Sequence, residues 1–162
     1  MKAGRYLFYG LVAVALAQAF YYYPQMPHIV ASHFDGRGAA DGWSSRNFFF
    51  GIYLAMLALT TGVFMLLPGR IGASGDFAHR FPNREYWLAP DRIERTRAFF
   101  RQQMLVMGII HLLLAMITVQ LVILANLGQG TQLNSIIFWV LAAYFICVIT
   151  WLVHFFRHFR KL

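Results

Sequence analysis

Four side chains able to ligate a metal or carry a proton, His28, His33, Asp35 and Asp41, are crowded into residues 23–46, YPQMPHIVASHFDGRGAADGWSSR. Imidazole nitrogens and carboxylate oxygens are the donors that zinc and other divalent ions take in proteins, so metal ligation is one chemistry open to this stretch. The spacing H-x4-H-x-D is not a strong metal template, and a catalytic site needs its ligands held by rigid elements. Pro24, Pro27, Gly36, Gly38 and Gly42 punctuate the stretch and predict a structured loop rather than a helix or a central strand. The competing role is structural: Asp35 and Asp41 suit turn hydrogen bonds, while Phe34 and Trp43 suit a membrane interface. Nowhere does the chain offer a nucleophile with a paired base, a glycine-rich phosphate cradle or an H-E-x-x-H. The expectation is a protein that is not an enzyme and carries no cofactor. Cys147 stands alone, which excludes an intrachain disulfide.

What must position this loop is a set of apolar helices. The 162 residues are 59% hydrophobic, 17% aromatic and 12% charged, against about 25% charged in an ordinary soluble domain. Lys2, Arg5, an apolar run and Ala17-Gln18-Ala19 have the features of a cleaved leader. The run continues, however, through Phe20-Tyr21-Tyr22-Tyr23 to Pro24, so it is read as a retained first span over 6–23 with an interfacial aromatic belt. Further spans are expected over 48–67, 104–125 and 136–156, all free of charged residues. From Pro90, P-D-R-I-E-R-T-R predicts a helix start with an Asp91–Arg95 pair, running on into the third span. An uncharged connection with Gly128 and Gly130 joins the third and fourth spans, and Arg157, Arg160 and Lys161 end the last. The fold class is therefore all-α: a single domain over 1–162, a polytopic membrane protein of four transmembrane helices with a structured outer loop.

Twelve of the fourteen Lys and Arg residues fall before the first span, between the second and third, or after the fourth; Arg37 and Arg46 alone fall on the other side. By the positive-inside rule both termini and the arginine-rich segment are expected in the cytoplasm, an N-in/C-in topology with the His/Asp loop outside. A formal charge of +8 could mean nucleic acid in a soluble protein. Here the basic residues lie in blocks between apolar runs, so no nucleic acid is expected and the lipid bilayer is the partner. Arg84, Arg92, Arg95 and Arg97 suit anionic headgroups or a cytoplasmic partner.

Residues 23–46, with P-x-x-P ahead of V-A-S-H-F-D-x-x-G-x-x-D-G-W-x-S-R, and a second stretch, F-P-N-R-E-Y-W-L-A-P-D-R from Phe81, occur in the order seen in one bacterial membrane-protein family. The chain resembles that family, which carries a domain of unknown function that also forms part of the immunity proteins against the sporulation-delaying peptide toxin. The matching positions in the outer loop are Pro24, His33, Phe34, Asp35, Gly38, Asp41, Trp43 and Arg46. Those in the second stretch are Asn83, Tyr86, Trp87, Leu88, Pro90 and Arg92, with Asp91 where Glu is usual. The chain is shorter than the immunity proteins and has four expected spans. The resemblance implies a bacterial inner-membrane protein in which His33, Asp35, Gly38, Asp41, Trp43, Asn83, Tyr86, Trp87 and Arg92 bind a ligand or partner, or build a cap.

Within the spans, Gln18, His111 and Gln120 are the polar residues that need partners at membrane depth, and His111 is expected to hydrogen-bond between helices. His154 and His158, flanking Arg157, are expected on a solvated interfacial face. The functional expectation is a small inner-membrane accessory or protective protein engaging a hydrophobic peptide. The alternatives are a structural subunit beside other membrane proteins and, third, a metal-binding membrane enzyme. In the cap, His33 and Asp41 are expected to bond inward, with Trp43 against the helix ends.

Overall fold

The computed structural model describes residues 2–70, 83–128 and 132–160. Arg80, Phe81, Pro82, Gly130 and Lys161 lie outside these. Helix α1, Lys2–Tyr22, stops where Pro24 requires. A single 3-10 turn, Tyr23–Gln25, follows, closed by the Met26 amide on the Tyr22 carbonyl at 3.1 Å.

The stretch expected to be loop is mostly an antiparallel ribbon of β1, Ile29–Phe34, and β2, Ala40–Ser45. This corrects the loop expectation and adds a small sheet to an otherwise helical chain. The glycines that argued against strand sit where strand tolerates them. Gly38 is in the turn with φ +83°, and Gly42 lies opposite His33. A Cβ at Gly42 would come within 2.8 Å of the His33 Cβ.

β2 passes straight into α2, Arg46–Thr61, because Ser45 is the helix N-cap and its hydroxyl accepts from the Phe48 amide at 3.2 Å. The Thr61 hydroxyl then donates to the Leu57 carbonyl, Gly62 follows, and Pro68 has no amide to return to the ladder. The helix relaxes there into a π turn, Gly62–Leu66. A short helix α3, Arg84–Trp87, precedes α4, Ile93–Leu127, and α5, Ile136–Arg160.

Four helices are long and apolar enough to cross a membrane, over Lys2–Gln25, Arg46–Leu66, Ile93–Leu127 and Ile136–Arg160. This is the build of a multi-pass membrane protein. Helix α4 touches the other three spans and forms the axis of the bundle. In lipid, where burial of apolar surface gives helices little reason to associate, small residues allow close approach. Ala15 and Ala19 of α1 and Gly108 of α4 serve that purpose. A Cβ at Gly108 would meet Phe64 at 2.8 Å and Phe8 at 2.9 Å. Helix α5 is peripheral, with 6% of its spanning window buried against 28% for α4.

Helix α4 does run unbroken from the arginine-rich segment through the third span, as expected. It begins at Ile93, however, so Pro90 and Asp91 lie in the turn before it and the Asp91–Arg95 pair is not made. The Ala89 carbonyl accepts from both the Arg92 and Ile93 amides, and the Thr96 hydroxyl donates to the Trp87 carbonyl at 2.8 Å, which closes the chain into a turn first. Asp91 pairs with Arg92 at 3.4 Å and Glu94 with Arg97 at 2.6 Å.

Candidate functional site

The hairpin begins from its tip. Asp35 Oδ1 accepts from the Arg37 amide at 2.8 Å and the Ala39 amide at 2.9 Å, while its own amide and carbonyl bond to Ala39 and Gly38. Asp35 therefore folds the turn, as the sequence suggested. Gly38 is needed twice over. Its positive φ suits glycine, and a Cβ there would lie 2.7 Å from the Leu133 carbonyl oxygen. The same contact is used productively, since the Leu133 amide donates to the Gly38 carbonyl at 2.8 Å and Gln132 Nε2 donates to the Arg37 carbonyl at 2.8 Å.

The base of the hairpin is clamped as well. Asn126, in the last turn of α4, accepts from the Ala31 amide at 2.8 Å and donates to the Ala31 carbonyl at 3.0 Å. Its side-chain amide thus pairs with β1 as a neighbouring strand would. Arg46 donates to the Met26 carbonyl at 3.0 Å and lies over the Tyr23 ring at 4.5 Å. The Tyr23 hydroxyl donates to Asn47 at 2.7 Å. Met26 and Val30 are buried among Phe50, Tyr53 and Ile123.

Below the clamp, a polar network crosses three spans. The Tyr53 hydroxyl donates to Gln18 Oε1 at 2.8 Å; Gln18 Nε2 donates to Gln120 Oε1 at 2.8 Å and to the Met116 carbonyl at 3.2 Å; Gln120 Nε2 donates to the Tyr22 hydroxyl at 3.1 Å. Each donor lost at this depth would find little to replace it, which makes the network a lock for the relative placement of α1, α2 and α4. His111 Nδ1 lies 3.0 Å from the Tyr144 hydroxyl, the interhelical bond expected of it, and joins α4 to α5.

On this frame the chemistry-bearing residues turn outward, which corrects the expectation that they bond inward. His33 Nδ1 meets Asp41 Oδ1 at 2.5 Å, with the two side chains 75% and 47% exposed. Trp43 is 58% exposed rather than laid against the helix ends. The cause is the register, which is irregular on both sides of His33. Such a bulge re-aims the side chain it carries. With a carboxylate accepting from Nδ1–H, a neutral His33 presents Nε2 to solvent as an acceptor, fixed in orientation by Asp41. The four metal candidates do not converge. His33 and Asp41 pair, Asp35 is spent on the turn, and His28 enters through its carbonyl, which takes the Arg46 amide. Among the described residues no three His, Cys, Asp or Glu side chains gather to hold an ion.

The second motif is used differently. Phe159, in the last turn of α5, has a carbonyl with no intrahelical partner by position. Asn83 Nδ2 at 3.3 Å and Trp87 Nε1 at 3.0 Å both donate to it. Asn83 holds a positive φ of 51°, a conformation asparagine tolerates better than most residues. Arg92 covers the Tyr86 ring at 4.1 Å. His158, expected on a solvated face, instead stacks on Phe99 with centroids 3.8 Å apart and lies 5.1 Å from Trp87; His154 is exposed.

Residues 10–57 match the family model described as a domain of unknown function, DUF1648. Over these residues the chain is similar to that domain. The matched segment runs from within α1, through the whole hairpin, into the second half of α2, so its centre is the clamped ribbon with the His33–Asp41 pair. The second motif, α4 and α5 lie beyond it. No curated protein and no solved structure matches the chain.

The hydrogen-bond partners are what local sequence does not show. Asn126 follows the third expected span, Tyr53 lies within the second, and Tyr22 belongs to the aromatic belt; none of these positions names its partner, and nothing local shows the second motif closing α5. A tyrosine at span depth is a usable signal, since its hydroxyl demands a partner. Asn83 and Phe159 are too far apart in the chain to leave any local trace.

Proposed function

We propose that the protein is a small accessory or protective protein of the bacterial inner membrane, and that the hairpin is its binding element on the outer face. One observation carries this reading. The hairpin backbone is fixed from below by Asn126, Gln132 and Leu133, whereas His33, Asp41 and Trp43 are left turned to the outside. A purely structural cap would consume those side chains. An exposed indole beside an oriented imidazole suits an apolar segment carrying hydrogen-bond donors, which is the chemistry of a hydrophobic peptide at the membrane surface and agrees with the resemblance to the toxin-immunity proteins. The element binds rather than catalyses on this reading. The test is His33→Ala and Asp41→Asn in cells challenged with a membrane-active peptide toxin: protection should fall while protein level and thermal stability in detergent hold. Protection equal to the parent in both variants would sink the proposal.

Both termini are placed in the cytoplasm, on the strength of the Lys and Arg distribution. With Cys147 replaced by serine, Ser32→Cys should react with an impermeant thiol reagent added outside intact cells and Ser74→Cys should not. The reverse pattern overturns the orientation.

A second reading, a subunit of a larger membrane complex, is favoured by α5, where Trp139, Phe145, Ile146 and Ile149 are at least 60% exposed. Purification in mild detergent separates the two. Stoichiometric co-purification of other chains supports the subunit, and a single monomer or small homo-oligomer disfavours it.

A further inference from the structure

At the end of the bundle opposite the hairpin, a cavity of about 100 Å³ lies among the first turn of α1, the π turn after α2, and α4. Its walls include Arg5, Arg101 and Gln102 on the polar side and Phe64, Met65 and Leu105 on the apolar side, with no carboxylate among them. Two features build it. Gly4 lets the first turn of α1 close on α4, since a Cβ there would fall 2.9 Å from Leu105 Cδ2, and this sets Arg5 beside the Arg101 turn. The π turn docks Phe64 on Gly108, which fixes the opposite wall; π turns of this kind recur at functional sites.

Among the described residues the charges here are uncompensated. Arg92 and Arg97, at the same end, have Asp91 and Glu94. Among the described residues neither Arg5 nor Arg101 has a side-chain ion pair or hydrogen bond, and Arg101 Nε is buried without a partner. Two arginines line one small cavity, Arg5 exposed and Arg101 with a buried donor unmet, and together they suit an anion that accepts several hydrogen bonds at once. A phosphate oxyanion does so, and Arg forks match it two bonds at a time.

We propose that this cavity binds the phosphate of an anionic phospholipid. Arg5 and Arg101 would grip the phosphate oxygens, Gln102 would donate to a third, and the acyl chains would leave over Phe64, Met65 and Leu105. The apolar wall and the location at a span end select a lipid over a soluble phosphate. A basic pocket between spanning helices is how headgroups are held in other membrane proteins.

The test uses the full chain in detergent, with phosphatidylglycerol, phosphatidylcholine or inorganic phosphate added, read by thermal unfolding and by lipid retention in native mass spectrometry. Phosphatidylglycerol should raise the midpoint, with one molecule retained, and phosphatidylcholine should not. Arg5→Gln and Arg101→Gln should each weaken retention about tenfold, the loss expected for one charge-assisted contact. Arg157→Gln, which removes equal charge from the same end, should leave retention unchanged. Should Arg101→Gln fail to fold, Arg101→Lys keeps the charge but loses the fork and should still weaken retention severalfold. Inorganic phosphate stabilising as much as phosphatidylglycerol would overturn the lipid as occupant. Retention undiminished in both Arg5 and Arg101 variants would overturn the site itself.

Discussion

The two ends of the bundle carry comparable clusters of polar and aromatic residues and use them in opposite ways. At the hairpin end, the ribbon's backbone is what is held, by side chains that turn inward or lie outside the ribbon. The frame is Asp35 and Gly38 in the turn, Asn126 on the strand edge, and the Gly38–Leu133 bond, leaving His33, Asp41 and Trp43 free of structural duty. At the arginine-rich end the motif side chains themselves are consumed: Asn83 and Trp87 on the Phe159 carbonyl, His158 on Phe99, Arg92 on Tyr86. A motif can thus mark a binding surface at one place and a helix closure at another, and residue type alone does not say which. What distinguishes them is whether the hydrogen-bonding capacity is already spent.

The sharpest way to break this comparison is to strike the hairpin frame. Gly38→Val puts a β-branched residue at φ +83° and a Cβ 2.7 Å from the Leu133 carbonyl. The expected loss is about 3 kcal/mol or more, measured by thermal unfolding in detergent. Gly36→Ala, in the same turn with open space around it, should change stability by under about 0.5 kcal/mol. Equal effects at the two glycines would mean that the frame does not hold the hairpin.

Next in size is the closure of α5. Trp87→Phe preserves a ring but removes a donor from the Phe159 carbonyl, and with Asn83→Ala the pair should cost about 1–2 kcal/mol. A double variant as stable as the parent would remove this end's half of the contrast. Gln18→Leu, which strips partners from Tyr53 and Gln120, should cost about 1 kcal/mol, modest because partners for a polar side chain are also found in the unfolded state within the membrane. The smallest effect belongs to the exposed pair. His33→Ala and Asp41→Asn should each alter stability by less than about 0.5 kcal/mol, since a side-chain pair this exposed contributes little, even where protection is lost. A loss as large as that of the α5 closure would make the pair part of the frame.

Much of this was legible from local sequence. The four spans, the stop at Pro24 and the acceptor role of Asp35 follow from hydropathy, a missing amide and a short carboxylate, all properties of neighbouring residues. The ribbon was not legible, because the prolines that usually mark loops here precede it, and the glycines occupy its turn and the one strand position facing His33. Nor was the turn before α4, where Thr96 on the Trp87 carbonyl overrides a sequence that reads as a helix start.

The sequence by itself determined which segments are apolar enough to cross a membrane and where the chain must turn, because transfer from water to lipid and backbone freedom are additive over adjacent residues. Tertiary structure alone decided which side chains remain available. Asn126 reaches Ala31, Gln18 reaches Gln120, and Asn83 reaches Phe159 across separations of 95, 102 and 76 residues. Hydrogen bonds at such distances exist only once the helices have packed. The outward turn of His33 rests on two register irregularities in β1, and in a ribbon of period two a single-residue shift moves a side chain from the inner face to the outer one.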